Sequence, residues 1–112
     1  MNIHQVKPWE HWPSGDSRPI AVLPYDLSQL SKRYGLDFQE GIDDLDRYCL
    51  AAIELANADQ AWIYKHHSDP NPGTVVHVDA ASDVAKAQSL LLDALGLDRE
   101  ELLWAASVPV RT

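Results

Sequence analysis

Apolar residues recur along this chain at two spacings, and the switch between them marks out its elements. IAVLPY, residues 20–25, is a short apolar run that reads as a strand, with Pro24 placing it at a sheet edge or a strand end. Asp26 followed by Gln29 has the form of a capping box, in which a carboxylate takes a backbone N–H that the first helical turn leaves unpaired. Leu27, Leu30 and Tyr34 then fall on one helical face ahead of Gly35, which predicts a helix over 27–34. Further on, AWIYKHH and TVVHVDA are rich in β-branched and aromatic residues. They are joined by SDPNPG, a dense cluster of turn formers. The pair predicts a hairpin over about 61–79, its tip stiffened by Pro70 and Pro72.

Between these signals lies CLAAIELA, which carries both periods. Leu45, Cys49, Ala52, Ile53 and Ala56 sit at helical spacing, whereas Cys49, Ala51, Ile53 and Leu55 alternate as on a strand. The short ANADQ connection to the hairpin favours a partner strand over about 49–56. Downstream, Val84, Ala87, Leu91, Leu92 and Leu95 form one apolar stripe, capped by Ser82 or Asp79 and stopped by Gly96, which predicts a helix over 83–95. Asp98 with Glu101 resembles a second capping box and predicts a third helix over 99–105, ending near Trp104. The first 18 residues hold Pro8, Pro13 and Gly15 around Trp9 and Trp12 and read as an irregular arm, leaving 19–112 as a single domain. The expected fold is α+β, a small antiparallel β-meander with three helices packed on it.

Composition narrows the function classes. A chain of 112 residues has the length of one domain, and 46% hydrophobic with 23% charged residues is globular composition. Seventeen acidic against nine basic residues give a formal charge of −8, which argues against nucleic acid as a partner and for a basic protein. The single cysteine, Cys49, permits no internal disulfide and fits a reducing compartment. No apolar run reaches leader or membrane-span length, so the expected location is cytoplasmic, with no membrane partner.

Charge is concentrated in DFQEGIDDLD, which carries Asp37, Glu40, Asp43, Asp44 and Asp46 and no base before Arg47. Such a patch can steer a cationic partner and raise its association rate by ~10 to 10³-fold at low salt. Solvated carboxylates that cap neighbouring elements are the alternative. A calcium loop is set aside, because Gly41 precedes Asp43 and Asp44 instead of following them. Trp62 and Trp104 fit core positions, whereas Trp9 and Trp12 are candidates either to clamp the arm onto the domain or to anchor a partner. His67, His77 and Asp79 are weak candidate metal ligands, which share a sheet face if His77 lies opposite Lys65. Cys49 reads as a small apolar residue rather than a nucleophile. No nucleophile elbow, phosphate loop, H-E-x-x-H or C-x-x-C is present, and no cofactor is implied.

The expectation is therefore a small acidic binding protein without enzymatic activity. Its most concrete form is an immunity- or antitoxin-type inhibitor of a basic partner such as a nuclease toxin. The alternative is an accessory or structural subunit that homodimerises, or docks into an assembly, through the Trp arm and a sheet edge. A small metal-dependent enzyme built on His67, His77 and Asp79 is the third reading.

Overall fold

The computed structural model describes residues 3–7, 17–43 and 46–107, and these build one seven-stranded antiparallel sheet with two helices. The strands are β1 (His4–Val6), β2 (Ser17–Leu23), β3 (Gln39–Asp43), β4 (Asp46–Glu54), β5 (Gln60–His66), β6 (Thr74–Asp79) and β7 (Trp104–Ala105). Their order across the sheet is β1-β4-β5-β6-β2-β7, and β3 joins β1 on the outer edge of β4. The α+β expectation holds at this level, with far more sheet than helix.

Local chemistry explains each helix. In α1 (Leu27–Tyr34) the Asp26 carboxylate accepts from the Gln29 N–H, the Gln29 side chain accepts from the Asp26 N–H, and Gly35 closes the helix in the left-handed region at φ 69°. In α2 (Val84–Leu95) the cap is Asp83, which accepts from the Lys86 N–H, rather than Ser82 or Asp79; Gly96 ends it at φ 67°. The Tyr34 hydroxyl donates to the Leu95 carbonyl at 2.8 Å and ties the two helix ends together.

Alternation gives the sheet two dissimilar faces. On the helix side, Ile20, Leu23, Ile53, Ala61, Ile63, Val76 and Val78 pack with Leu30, Ala87, Leu91 and Leu95 in one aliphatic core. Each large side chain there contributes about 1.5–3 kcal/mol by leaving water. The opposite face carries a smaller cluster of Leu50, Ala52 and Trp62, flanked by Val6, Tyr48 and Tyr64. Trp62 is fully buried and donates its indole N–H to Gln60 Oε1 at 3.0 Å. Because both faces of β4 are buried at its centre, its sequence shows two interleaved apolar sets, which is why it mimics a helix.

Gln88, on α2, is a buried polar residue with a structural task. Its Nε2 donates to the carbonyls of Ile20 and Ala106, both at 2.9 Å, at the point where the β2–β6 register slips between Pro19 and Ala21. Its Oε1 accepts from Arg99 at 3.1 Å. At the bulge the Ile20 carbonyl thus accepts from both Gln88 and the Ala106 N–H, which ties α2, β2 and the segment after β7 together.

Three expectations are corrected. The third helix over 99–105 is a single 3₁₀ turn at Arg99–Glu101 followed by β7, and Asp98 makes no side-chain cap. The open edge of β2 outcompetes helix propagation: the N–H groups of Leu103 and Ala106 donate to the Val22 and Ile20 carbonyls at 2.9 and 3.0 Å. Trp104 accordingly lies on a strand, 46% exposed, and not in the core. Within the arm over 1–18, read as irregular, His4–Val6 is a strand paired with β4 and Ser17 opens β2, while residues 8–16 lie outside the described residues. No helix among the described residues is long and apolar enough to cross a membrane.

Candidate functional site

Residues 39–43 of the acidic stretch form β3, which pairs with β4 so that Glu40 lies opposite Cys49, Gly41 opposite Tyr48, Ile42 opposite Arg47 and Asp43 opposite Asp46, the last of these acids lying on β4 itself. A side chain at Gly41 would collide with the Tyr48 ring, its Cβ falling 2.5 Å from the ring carbon Cζ. Glycine here lets the tyrosine lie flat over the edge strand. β3 pairs with β4 on one side and has no strand partner on the other among the described residues, which makes it an edge strand there.

The carboxylates of the stretch do not act alike. Asp46 is committed to the fold: it accepts from the Ser68 hydroxyl, from the Ser68 N–H at 3.3 Å and from the Arg47 N–H at 2.8 Å. The Ser68 hydroxyl bond is the main reason its carboxyl titrates below the ordinary aspartate range. Asp37 is exposed, with its backbone clamped by the Gln5 side chain, whose Nε2 donates to the Asp37 carbonyl at 2.6 Å. Glu40 is exposed on β3, and the 74%-exposed Ile42 is two residues along the same face. The side chain of Asp43, and all of Asp44, lie outside the described residues, as do Trp9 and Trp12.

Two histidine arrangements occupy opposite faces of the sheet. The β5–β6 register sets Trp62, not Lys65, against His77, which sends His67 and His77 to different faces. The candidate metal set of His67, His77 and Asp79 is therefore not assembled: a register shift by an odd number of residues, here three, reverses every side chain. His77 instead bridges Ser17 Oγ, 3.0 Å from Nδ1, and the Tyr64 hydroxyl, 3.0 Å from Nε2. Burial pushes its pKa down from 6.5 to about 4, so the imidazole is neutral at physiological pH. The rings of Tyr64 and His77 meet edge to face with centroids 4.9 Å apart, in a row that continues through His66 to Tyr48. Asp79 closes a turn by accepting from the Ala81 N–H at 2.9 Å.

His67 joins a different group. Its Nε2 is 3.7 Å from Cys49 Sγ, and Glu40 completes a trio whose donor atoms all lie within 4.8 Å of one another. Backbone pairing builds this group. Glu40 and Cys49 are register partners, and the His67 N–H donates to the Arg47 carbonyl at 2.8 Å. Burial, and secondarily the Glu40 charge, raises the Cys49 thiol above its ordinary range, which disfavours a free thiolate nucleophile. Lys65, opposite Cys49, is held away by the Asn71 carbonyl and by Asp69, 3.4 Å from its ammonium.

Sequence reasoning missed this trio because it treated the acidic stretch as a loop. Reading GID and DRY as the arms of one tight hairpin places Glu40 against Cys49 by counting alone. Two open concavities complete the surface. One of about 370 Å³ lies between the start of α1, Lys65 and residues 71–74; one of about 360 Å³ is lined by Asn57, Asp59, Asp79, Ser82 and Asp83. In the second, Asp79 closes a turn, Asp83 caps α2, and the Asp59 carboxylate accepts from the Asn57 amide and the Ser82 hydroxyl. Comparison with known proteins gave no match to this chain among family models, curated proteins or solved structures.

Proposed function

We infer that this chain is a small acidic protein that docks a basic protein partner along the β3 edge. The observation that carries this reading is that Glu40 and Ile42 are exposed two residues apart on one face of the edge strand β3, with Asp37 exposed just ahead of it. An apolar side chain near a carboxylate, on a strand edge with no strand partner among the described residues, supplies a small dry contact, charge steering and strand pairing together. The formal charge of −8 adds long-range attraction for a cation-rich surface. Inhibition of the immunity or antitoxin kind, with the acidic edge covering a cationic active site such as a nuclease's, is the concrete form of the proposal.

The test compares the wild-type chain with an Asp37→Asn/Glu40→Gln/Ile42→Ser variant as bait in lysate of the source organism at low and high salt. A basic protein retained by the wild type, lost from the variant and released by salt supports the reading, and its purified activity is then assayed with and without the chain. Equal retention by both baits refutes it. The opposite edge favours a second reading as an accessory subunit, because Leu103 and Trp104 are 52% and 46% exposed on and beside β7. Sedimentation of the wild type as a dimer, and of Trp104→Ser as a monomer, would select that one.

A further inference from the structure

The geometry points to a divalent-metal site formed by Glu40, Cys49 and His67, with Zn²⁺ the ion that its donors suit best. This goes beyond the docking reading and stands independently of it, although both involve Glu40. A thiol, an imidazole and a carboxylate are the three side-chain types that bind zinc, and hard cations such as Ca²⁺ and Mg²⁺ prefer oxygen alone.

Distance supports the assignment. A tetrahedral zinc at about 2.3 Å from sulfur and about 2.0–2.1 Å from nitrogen separates those two donors by about 3.6 Å. The observed Sγ–Nε2 separation is 3.7 Å, and no donor pair of the trio exceeds 4.8 Å. Side-chain adjustments of about an ångström thus complete the triangle, with no backbone rearrangement. A thiol–imidazole hydrogen bond also fits 3.7 Å, but it does not call for the carboxylate that closes the third side.

The scaffold is assembled by backbone pairing before any ion arrives. β3 holds Glu40 against Cys49, and the Arg47 carbonyl holds His67 just past the end of β5. The ammonium of Lys65, the register partner of Cys49, is paired with Asp69. Glu40 and His67 are exposed and Cys49 is partly so, which leaves an entry path and a fourth position for water. Three protein ligands and one water form the open type of zinc site, as opposed to the closed four-ligand structural type. Bound metal would pin the acidic edge strand to the sheet.

The experiment uses the full chain, freed of metal by chelation and kept in a non-thiol reductant, titrated with Co²⁺ as a spectroscopic stand-in for Zn²⁺. The expected result is one equivalent bound, with a thiolate-to-cobalt charge-transfer band, tetrahedral d–d bands and displacement by Zn²⁺. Cys49→Ser abolishes the charge-transfer band, while His67→Ala and Glu40→Gln each weaken Co²⁺ binding at least tenfold. His4→Ala, a distant exposed histidine, leaves it unchanged. The absence of the band, its survival in Cys49→Ser, or full affinity in both His67→Ala and Glu40→Gln overturns the proposal. Should Cys49→Ser fail to fold, the two exposed positions still decide it, and in them a wild-type melting temperature without metal separates lost ligation from lost structure. Loss of metal binding in Cys49→Ser with partner capture intact would also show that the two proposals stand or fall separately.

Discussion

His67 and His77 lie ten positions apart on one hairpin, yet their surroundings are opposite. His77 is half-buried on β6 with both ring nitrogens engaged, by Ser17 and by Tyr64, and its proton affinity is depressed. His67 stands exposed past the end of β5, beside a thiol and near a carboxylate. Residue type does not distinguish them. What does is strand parity and a register that pairs Trp62 with His77. A half-buried imidazole with two neutral hydroxyl partners is a structural bridge between β2, β5 and β6. An exposed imidazole facing two other donors is available for ligation.

Mutation should reproduce that contrast. The largest effect is expected from His77→Ala, which strips Ser17 and Tyr64 of a shared partner and opens space beside Trp62's strand. The loss should be about 1–3 kcal/mol in denaturant unfolding, against less than about 0.5 kcal/mol for His67→Ala without metal. Equal losses would erase the distinction. Next comes Tyr64→Phe, which removes the hydroxyl at Nε2 and should cost about 0.5–1.5 kcal/mol in the same assay. A neutral result would mean that the Tyr64–His77 bond adds nothing beyond ring packing.

The subtlest expected change is a slope. In the folded chain His77 titrates at about 4 and in the unfolded chain at 6.5, so between those values the unfolded state binds the extra proton. Its contribution to stability is full above 6.5, falls as pH drops through this window and is gone below about 4. Unfolding midpoints measured from pH 7 to pH 4 should decline less steeply for His77→Gln than for the wild type. Parallel declines would show that carboxylates elsewhere carry the whole dependence.

The two helices and the central strands were legible because their signals are local. Asp26 with Gln29, the glycines at 35 and 96, and the turn formers between β5 and β6 each act within a few residues. The edge strands were not. β1 and β7 span three and two residues, and β3 reads QEGID, a composition that suits a loop. Their strand state comes from unsatisfied backbone on β4 and β2, a demand made by partners far away in sequence. Trp104 shows the same limit: an aromatic residue after a plausible cap was read as core, although the β2 edge had claimed its backbone. The candidate site failed for a related reason. Cys49 and Glu40 were each weighed alone, and only the hairpin register brings them together.

The position of β2 has a consequence for how the chain is made. Its apolar IAVL segment pairs with β6 and β7 and with neither of its neighbours in sequence. At synthesis rates of about 5–20 residues per second, its β6 partner emerges roughly fifty residues and several seconds later. Throughout that interval both edges of β2 are open and its buried side chains have no sheet to join. Long-range closures of this kind slow folding and expose strands to intermolecular pairing. Arg18 and Pro19 at the head of the strand, a charge and a residue that cannot donate, stand where an approaching strand would begin to pair. In the finished fold they sit beside a bulge; in the nascent chain they guard it.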